Sequence, residues 1–159
     1  MATLFGVRLT DTYTSAELTA RGFAAGVVHE EYDGKKYKLY LYNSGAGSVA
    51  AAAGNVAYIY APGGTSAGAT TTITSDLSDS NEIGAGVLQA VIASGSYGWV
   101  QVSGPATLTT ALTAGADGDP LTPSGSTDGT LDVVASVTDP VCAYAIDASA
   151  KIVMCNFAH

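Results

Sequence analysis

The chain reads as mainly β: a small antiparallel β-barrel or sandwich with hairpin and loop additions and an N-terminal arm. Three observations carry that expectation. Short apolar runs alternate at period two between turn signals. Gly 19 and Pro 5 are spread along the whole length, which favours many turns over a few long helices. At 159 residues the chain fits a single domain, long enough to bury a core without metals or staples. Residues 84–159 have the sharpest strand texture and are expected to form the barrel-like core. Residues 26–83 are expected to add a tyrosine hairpin and a Thr/Gly-rich region, and residues 1–25 an arm or short helix.

Taken in order, Thr14-Ser15-Ala16-Glu17 has the form of a capping box. It can open a short helix ending near Gly22; an extended arm with one turn is the other reading. Residues 27–42 (VVHEEYDGKKYKLYLY) are the clearest local signal. Asp33-Gly34 suits a two-residue hairpin turn, because a type I′ turn needs positive φ at both central positions. That turn pairs Tyr32 with Lys35, Glu31 with Lys36, Glu30 with Tyr37 and Val28 with Leu39. Val28, Tyr37, Leu39 and Leu41 then face the core, while His29, Glu31, Lys36, Lys38, Tyr40 and Tyr42 face solvent or a partner.

Residues 43–54 read as loop or a poorly specified helical turn. A strand over Asn55 to Ala61 stops at Pro62-Gly63-Gly64, and a Thr/Ser/Gly/Asp-rich stretch follows with one strand, Thr70 to Thr74. From Gly84 onward the expected strands are Val87 to Ala93, Tyr97 to Ser103 and Pro105 to Thr113. Turns at Asp117–Pro120 and Ser126–Gly129 then lead into Leu121-Thr122 and Thr130 to Val137. Val141 to Ile146 and Ile152 to Phe157 close the chain. A two- or four-residue loop centred on Ala148-Ser149 sets Cys142 opposite Cys155, with Cβ atoms ~4.5–5.5 Å apart. At that spacing the pair can form a disulfide, although cytoplasmic synthesis favours buried reduced thiols. A three-residue loop removes the pairing.

Composition bounds the function. Apolar residues make up 47% and charged residues 13%, so small polar side chains stand where a free monomer carries charge, as on a surface covered by neighbours. The formal charge of −8 leaves no basic footprint to replace phosphate counterions, so no nucleic-acid partner is expected. No apolar run approaches the ~20 residues of a membrane span, and Met1–Phe5 lack the character of a secretory signal. No membrane partner and cytoplasmic synthesis are the expectations.

Motifs for chemistry are sparse. Gly64-Thr65-Ser66-Ala67-Gly68 matches the nucleophile-elbow string, but it lacks the flanking strand and helix. His29 and His159 are the only candidate bases, and the match reads as chance. Asp76, Asp79 and Glu82 cluster in one loop, with Asp117, Asp119 and Asp128 in turns. Oxygen-rich loops suit calcium, yet no EF-hand register is present, and Asp in turns bonds its own backbone. A solvated acidic loop is expected, and no catalytic, cofactor or metal residue is assigned. Tyr40, Tyr42, Tyr58 and Tyr60 form two Y-x-Y stripes, which at strand period suit either an interface or the core. Trp99, the only tryptophan, reads likewise as core or interface. These five residues are the candidate interface.

Residues 86–157 resemble the capsid decoration, or head-stabilising, proteins of tailed bacteriophages. The residues that carry the resemblance are the strand Tyr97 to Gly104 (YGWVQVSG), the turns Gly118 to Leu121 (GDPL) and Asp128 to Leu131 (DGTL), the small-residue strand Cys142-Ala143-Tyr144-Ala145, and a closing apolar strand. The resemblance implies a β-rich module, often a homotrimer, seated on the outer capsid of a virion assembled in a bacterial host. Its partner would be the major capsid protein, whose subunits it bridges. The alternative is another virion surface part, such as a fibre or knob that binds a host glycan, which exposed aromatics around Trp99 would favour. A hydrolase using Ser66 and a self-assembling cellular β-domain are more distant readings.

Overall fold

The computed structural model describes residues 6–62 and 71–158. Its strands are β1 (Thr12–Tyr13), β2 (Val28–Glu30), β3 (Lys36–Tyr42), β4 (Val56–Tyr60), β5 (Thr72–Thr74), β6 (Ser80–Leu88), β7 (Tyr97–Thr107), β8 (Pro120–Thr122), β9 (Asp132–Val133), β10 (Ala143–Asp147) and β11 (Ile152–Asn156). Among the described residues, one helix, α1 (Ser15–Arg21), and a 3-10 turn (Leu77–Asp79) lie beside them. The fold is mainly β and contains a closed five-stranded barrel, in the class the sequence predicts.

The barrel closes because β3 pairs on one side with β5 and on the other with β7, giving the circuit β3-β5-β4-β6-β7. Residues 36–107 therefore build it, and the tyrosine hairpin's second strand is one of its staves. The expectation that residues 84–159 hold the barrel and residues 26–83 are additions is corrected on this point. One pairing, β3 with β5, is parallel, with Leu41 opposite Thr72. The eleven-residue β7 serves both the barrel and the extension of one continuous sheet. Tyr97–Ser103 pair with β3, while Ser103–Thr107 pair with β11. Gly104, at φ +93, sits where the strand passes from barrel to extension. Beyond it the order runs β11-β10-β8-β9.

Two hairpins differ from their expected register by one residue. In the first, Gly34 N–H bonds Glu31 C=O at 3.0 Å and Glu31 N–H bonds Lys35 C=O at 2.9 Å. Asp33-Gly34 thus closes a three-residue loop whose last residue is left-handed, with φ +84 at Gly34. Glu30 pairs with Lys36 and His29 with Tyr37, so His29 turns to the same face as Tyr37 and is buried. In the second, a bulge between Ala145 and Asp147 sets Ala143 opposite Cys155 and Tyr144 opposite Met154.

Other segments also fall differently from their expected bounds. Residues 43–54 contain turns and no helix. β6 ends at Leu88, so Val87 to Ala93 is not one strand. Pro105–Thr107 belong to the end of β7, and only Asp132–Val133 are strand within 130–137. The N-terminal capping box is formed: Thr14 Oγ1 accepts from Glu17 N–H, and the Glu17 carboxylate accepts from Thr14 N–H at 2.7 Å. Gly22, left-handed at φ 71, stops the helix after two turns. The helix reading of that segment holds.

The apolar interior has two parts. The larger fills the barrel and runs under the extension, from Tyr40, Tyr42, Tyr58, Ile73 and Val100 to Leu121, Val153 and Phe157. The smaller lies outside the barrel wall, where α1 and the chain before it cover Tyr37, Leu39 and Trp99. Both faces of β3 are therefore covered, and the face expected to meet solvent or a partner points into the barrel.

Candidate functional site

The five residues expected at an interface do not form one. Tyr40, Tyr42, Tyr58 and Trp99 are each 0–1% exposed within the subunit itself, and only Tyr60 retains partial exposure. Each buried tyrosine is placed by its strand. Tyr58 Oη donates to Thr130 C=O and accepts from Thr130 N–H, tying the barrel to the segment that leads into β9. Tyr42 Oη donates to Val49 C=O at 2.8 Å and accepts from Ser75 N–H at 3.3 Å. Burial raises both phenol pKa values above the ordinary range. Trp99 packs edge-on against Phe23 and His29. It offers no exposed ring, which removes the support for a glycan site there.

Of the acidic loop, Asp76 and Asp79 are buried and Glu82 is exposed. Asp76 is 2% exposed, and one carboxylate oxygen accepts from Gly47 N–H at 2.7 Å while the other accepts from Ser78 N–H and Oγ. Asp79 accepts from Ala46 N–H, and Asp128 accepts from Leu77 N–H at 2.8 Å. Gly45 and Gly47 permit this close approach, since a Cβ on either would fall within 2.4–2.7 Å of Asp76 Oδ2. Burial alone would raise the Asp76 pKa; the hydrogen bonds from Ser78 and Gly47 outweigh it and hold the carboxyl below its usual range. Asp117 and Asp119 likewise accept from Ala148 and Ala116 N–H. Asp76, Asp79, Asp117 and Asp128 thus tie one loop to another, while Asp119 closes its own turn.

Cys142 and Cys155 are free and buried, and the one-residue register shift sets Cys142 level with Asn156. The expected Cys142–Cys155 opposition is thereby corrected. Burial pushes both thiols up to about 12. His29 Nε2 lies 3.0 Å from Glu31 Oε1 on an edge strand, beneath Trp99. The Gly64–Gly68 string with Ser66, and His159, lie outside the described residues.

What the sequence reading missed is the outer face of the extension. There strand alternation is clean: Ala143, Ala145, Val153 and Cys155 point inward, while Tyr144, Ile146 and Met154 are 41–45% exposed. Register aligns Pro120 with Tyr144, Tyr144 with Met154, and Met154 with Pro105. A row of apolar side chains thus crosses β8, β10, β11 and β7 with no charge in it. Ile146 and the partly exposed Ile152 stand beside that row. Four apolar residues contributed by four strands leave no run or period in the primary structure, so only the pairing shows them.

At the end of this face, next to Asn156, a cleft of about 460 Å³ opens between Ile83-Gly84, Pro140–Cys142 and Asn156–Ala158. The Phe157 ring lies against Gly84, where a Cβ would come within 2.6 Å of it.

Charge is segregated along the chain. Arg8, Arg21, Lys35, Lys36 and Lys38 precede residue 39, where five carboxylates balance them, and Lys151 is the sole cation beyond. The formal −8 therefore belongs to the rest of the barrel and the extension.

The fold and this surface define a class: a closed β-barrel with a lateral sheet whose free face is apolar. No family model, curated protein or solved structure matches the chain.

Proposed function

We propose that this chain is a structural virion protein that seats on the outer surface of a tailed-phage capsid, bridges its coat subunits as a homotrimer and catalyses nothing. The observation that carries the reading is the uncharged row Pro105–Met154–Tyr144–Pro120. Isolated soluble domains seldom leave apolar side chains contiguous across four strands unless something covers them. The low charge content and the resemblance of residues 86–157 to capsid decoration proteins support the same conclusion. Tyr144 and Met154 combine a large contact area with adaptable packing, as interface anchors require. Many copies on one shell add their contacts, so each can be modest.

The test is sedimentation of the purified chain with shells of its phage's coat protein that lack it. Saturation at a fixed ratio to coat subunits, with loss of binding in Tyr144→Asp, is the expected result. A chain that stays in the supernatant with every shell form contradicts the proposal.

A further inference from the structure

The N-terminal segment that covers the barrel wall traps two polar atoms. Tyr13 Oη and Trp99 Nε1 are buried and have no hydrogen-bond partner. Both belong to the small apolar cluster between the wall and residues 7–23. Phe23 links their rings edge-to-face, with centroids 6.3 Å from Tyr13 and 6.4 Å from Trp99. A buried indole N–H or phenol hydroxyl without a partner costs roughly what burying one leucine side chain gains. Against that cost the segment sets little burial. Of residues 6–23, only Tyr13 and Leu18 are buried, while Val7, Leu9 and Phe23 are partly covered.

Attachment is equally local. β1 joins β7 through two residue pairs, Thr12 with Gly98 and Tyr13 with Tyr97. α1 satisfies its own ends, through the Thr14–Glu17 box at one and the Gly22 N–H bonds to Leu18 and Thr19 C=O at the other. It can therefore leave the wall as a unit without stranding those groups. The chain rejoins the barrel at Gly26, left-handed at φ +89, whose N–H bonds Leu39 C=O at 2.7 Å. Beneath the segment, β3 is bonded to β2 and β7 along its own length.

From these features we infer that residues 7–23 are a strap that lifts from the barrel wall and recloses while the barrel stays folded. Lifting hydrates Tyr13 Oη and Trp99 Nε1 together, which partly offsets the lost burial of Leu18 and Phe23. It also bares Leu39 and Trp99, so the chain carries a second apolar surface that the closed strap hides. Local opening of this kind needs no global unfolding. The inference concerns one chain by itself and does not rest on the capsid reading.

Trp99 is the only tryptophan, so its indole N–H gives a single resonance in the isotope-labelled intact chain. Its exchange with solvent reports the strap. The Leu88 N–H, bonded to Asn55 C=O, reports the barrel. The indole is expected to be at least about a hundredfold less protected than Leu88, and less sensitive to low urea because the opening exposes less surface. Tyr13→Phe keeps the ring and removes the orphaned hydroxyl, so indole protection should rise about tenfold. Leu18→Ala removes the strap's anchor without lowering helix propensity. It should cut indole protection about tenfold or more and leave Leu88 unchanged.

Equal protection and equal urea slope for the indole and Leu88 would overturn the proposal, since the strap would then open only with the whole domain. So would a Tyr13→Phe variant that loses protection, or a Leu18→Ala variant that lowers Leu88 as much as the indole. An indole rate untouched by Leu18→Ala would do the same, because water would then be reaching Trp99 beneath a closed strap.

Discussion

The barrel and the lateral extension use the same alternating strand pattern to opposite ends. In the barrel, β3 is covered twice, by its own interior and by α1 with Trp99, so tyrosines that look amphipathic become core. Their hydroxyls are retained by backbone partners at Thr130, Val49 and Ser75. In the extension, β10 and β11 are covered once, and the outer half of the alternation stays open although it is apolar. Polarity along a strand therefore does not reveal which face is inside. The number of layers laid over the strand decides it.

The largest effect that sharpens this contrast is expected in the barrel. Tyr58→Ala should cost about 3–5 kcal/mol, as other large aromatic truncations in cores do. Tyr58→Phe should cost about 1–3 kcal/mol, because Thr130 N–H and C=O lose their partner. Urea unfolding reads both. If Tyr58→Phe is neutral, the hydroxyl does not tie the barrel to the Thr130 segment.

Asp76→Ala comes next, at about 2–3 kcal/mol, since it strands the N–H groups of Gly47 and Ser78. The same residue sets an acid limb. The folded pKa of Asp76 lies below its ordinary value, so its contribution is present above the unfolded pKa and is lost as pH falls through the folded one. Asp76→Asn should flatten the fall of stability below pH 4. An alkaline limb is expected from the opposite displacement. Burial lifts Tyr37 and both cysteines to about 12, so stability should be full below their unfolded values and decline as pH rises from about 9 toward 12. In keeping with that, neither thiol should react with a disulfide reagent at pH 8 until urea unfolds the chain. A fast-reacting thiol in the native protein would show that the space between Cys142 and Cys155 is open.

The smallest effect on stability belongs to the extension. Tyr144→Asp and Met154→Ser should change the unfolding free energy by no more than about 0.5 kcal/mol, because the side chains are half exposed in the free chain. A loss of several kcal/mol would mean that the row is part of the subunit's own core, and the contrast with the barrel would vanish.

Much of the fold was legible before the structure. The capping box at Thr14–Glu17, the two hairpins, the strands near Val56 and Tyr97 and the β class all follow from local chemistry. Register was not legible. Asp33-Gly34 serves a two-residue turn and a three-residue loop with a left-handed glycine equally well, and the choice between them moved His29 from solvent to core. The bulge at Ala145–Asp147 moved Cys142 from its place opposite Cys155 to one level with Asn156. Tyr40 and Tyr42 were placed on the solvent or partner face because nothing local announces that a seven-residue helix and β1 cover the other side of Leu39 and Trp99. Asp76 and Asp79 looked like a solvated loop because the amides they hold belong to residues some thirty positions earlier. The apolar row and the cleft depend on strand order and pairing across long separations, which no window of sequence contains.

The claim on which the functional reading turns is that a protein neighbour covers Met154 and Tyr144 when the chain is in place. Hydroxyl-radical footprinting of the free chain and of the chain bound to shells measures that cover directly, with the fully exposed Tyr32 as internal reference. The account predicts that Met154 and Tyr144 are oxidised readily in the free chain and protected on the shell. Equal oxidation of Met154 in both states would contradict it.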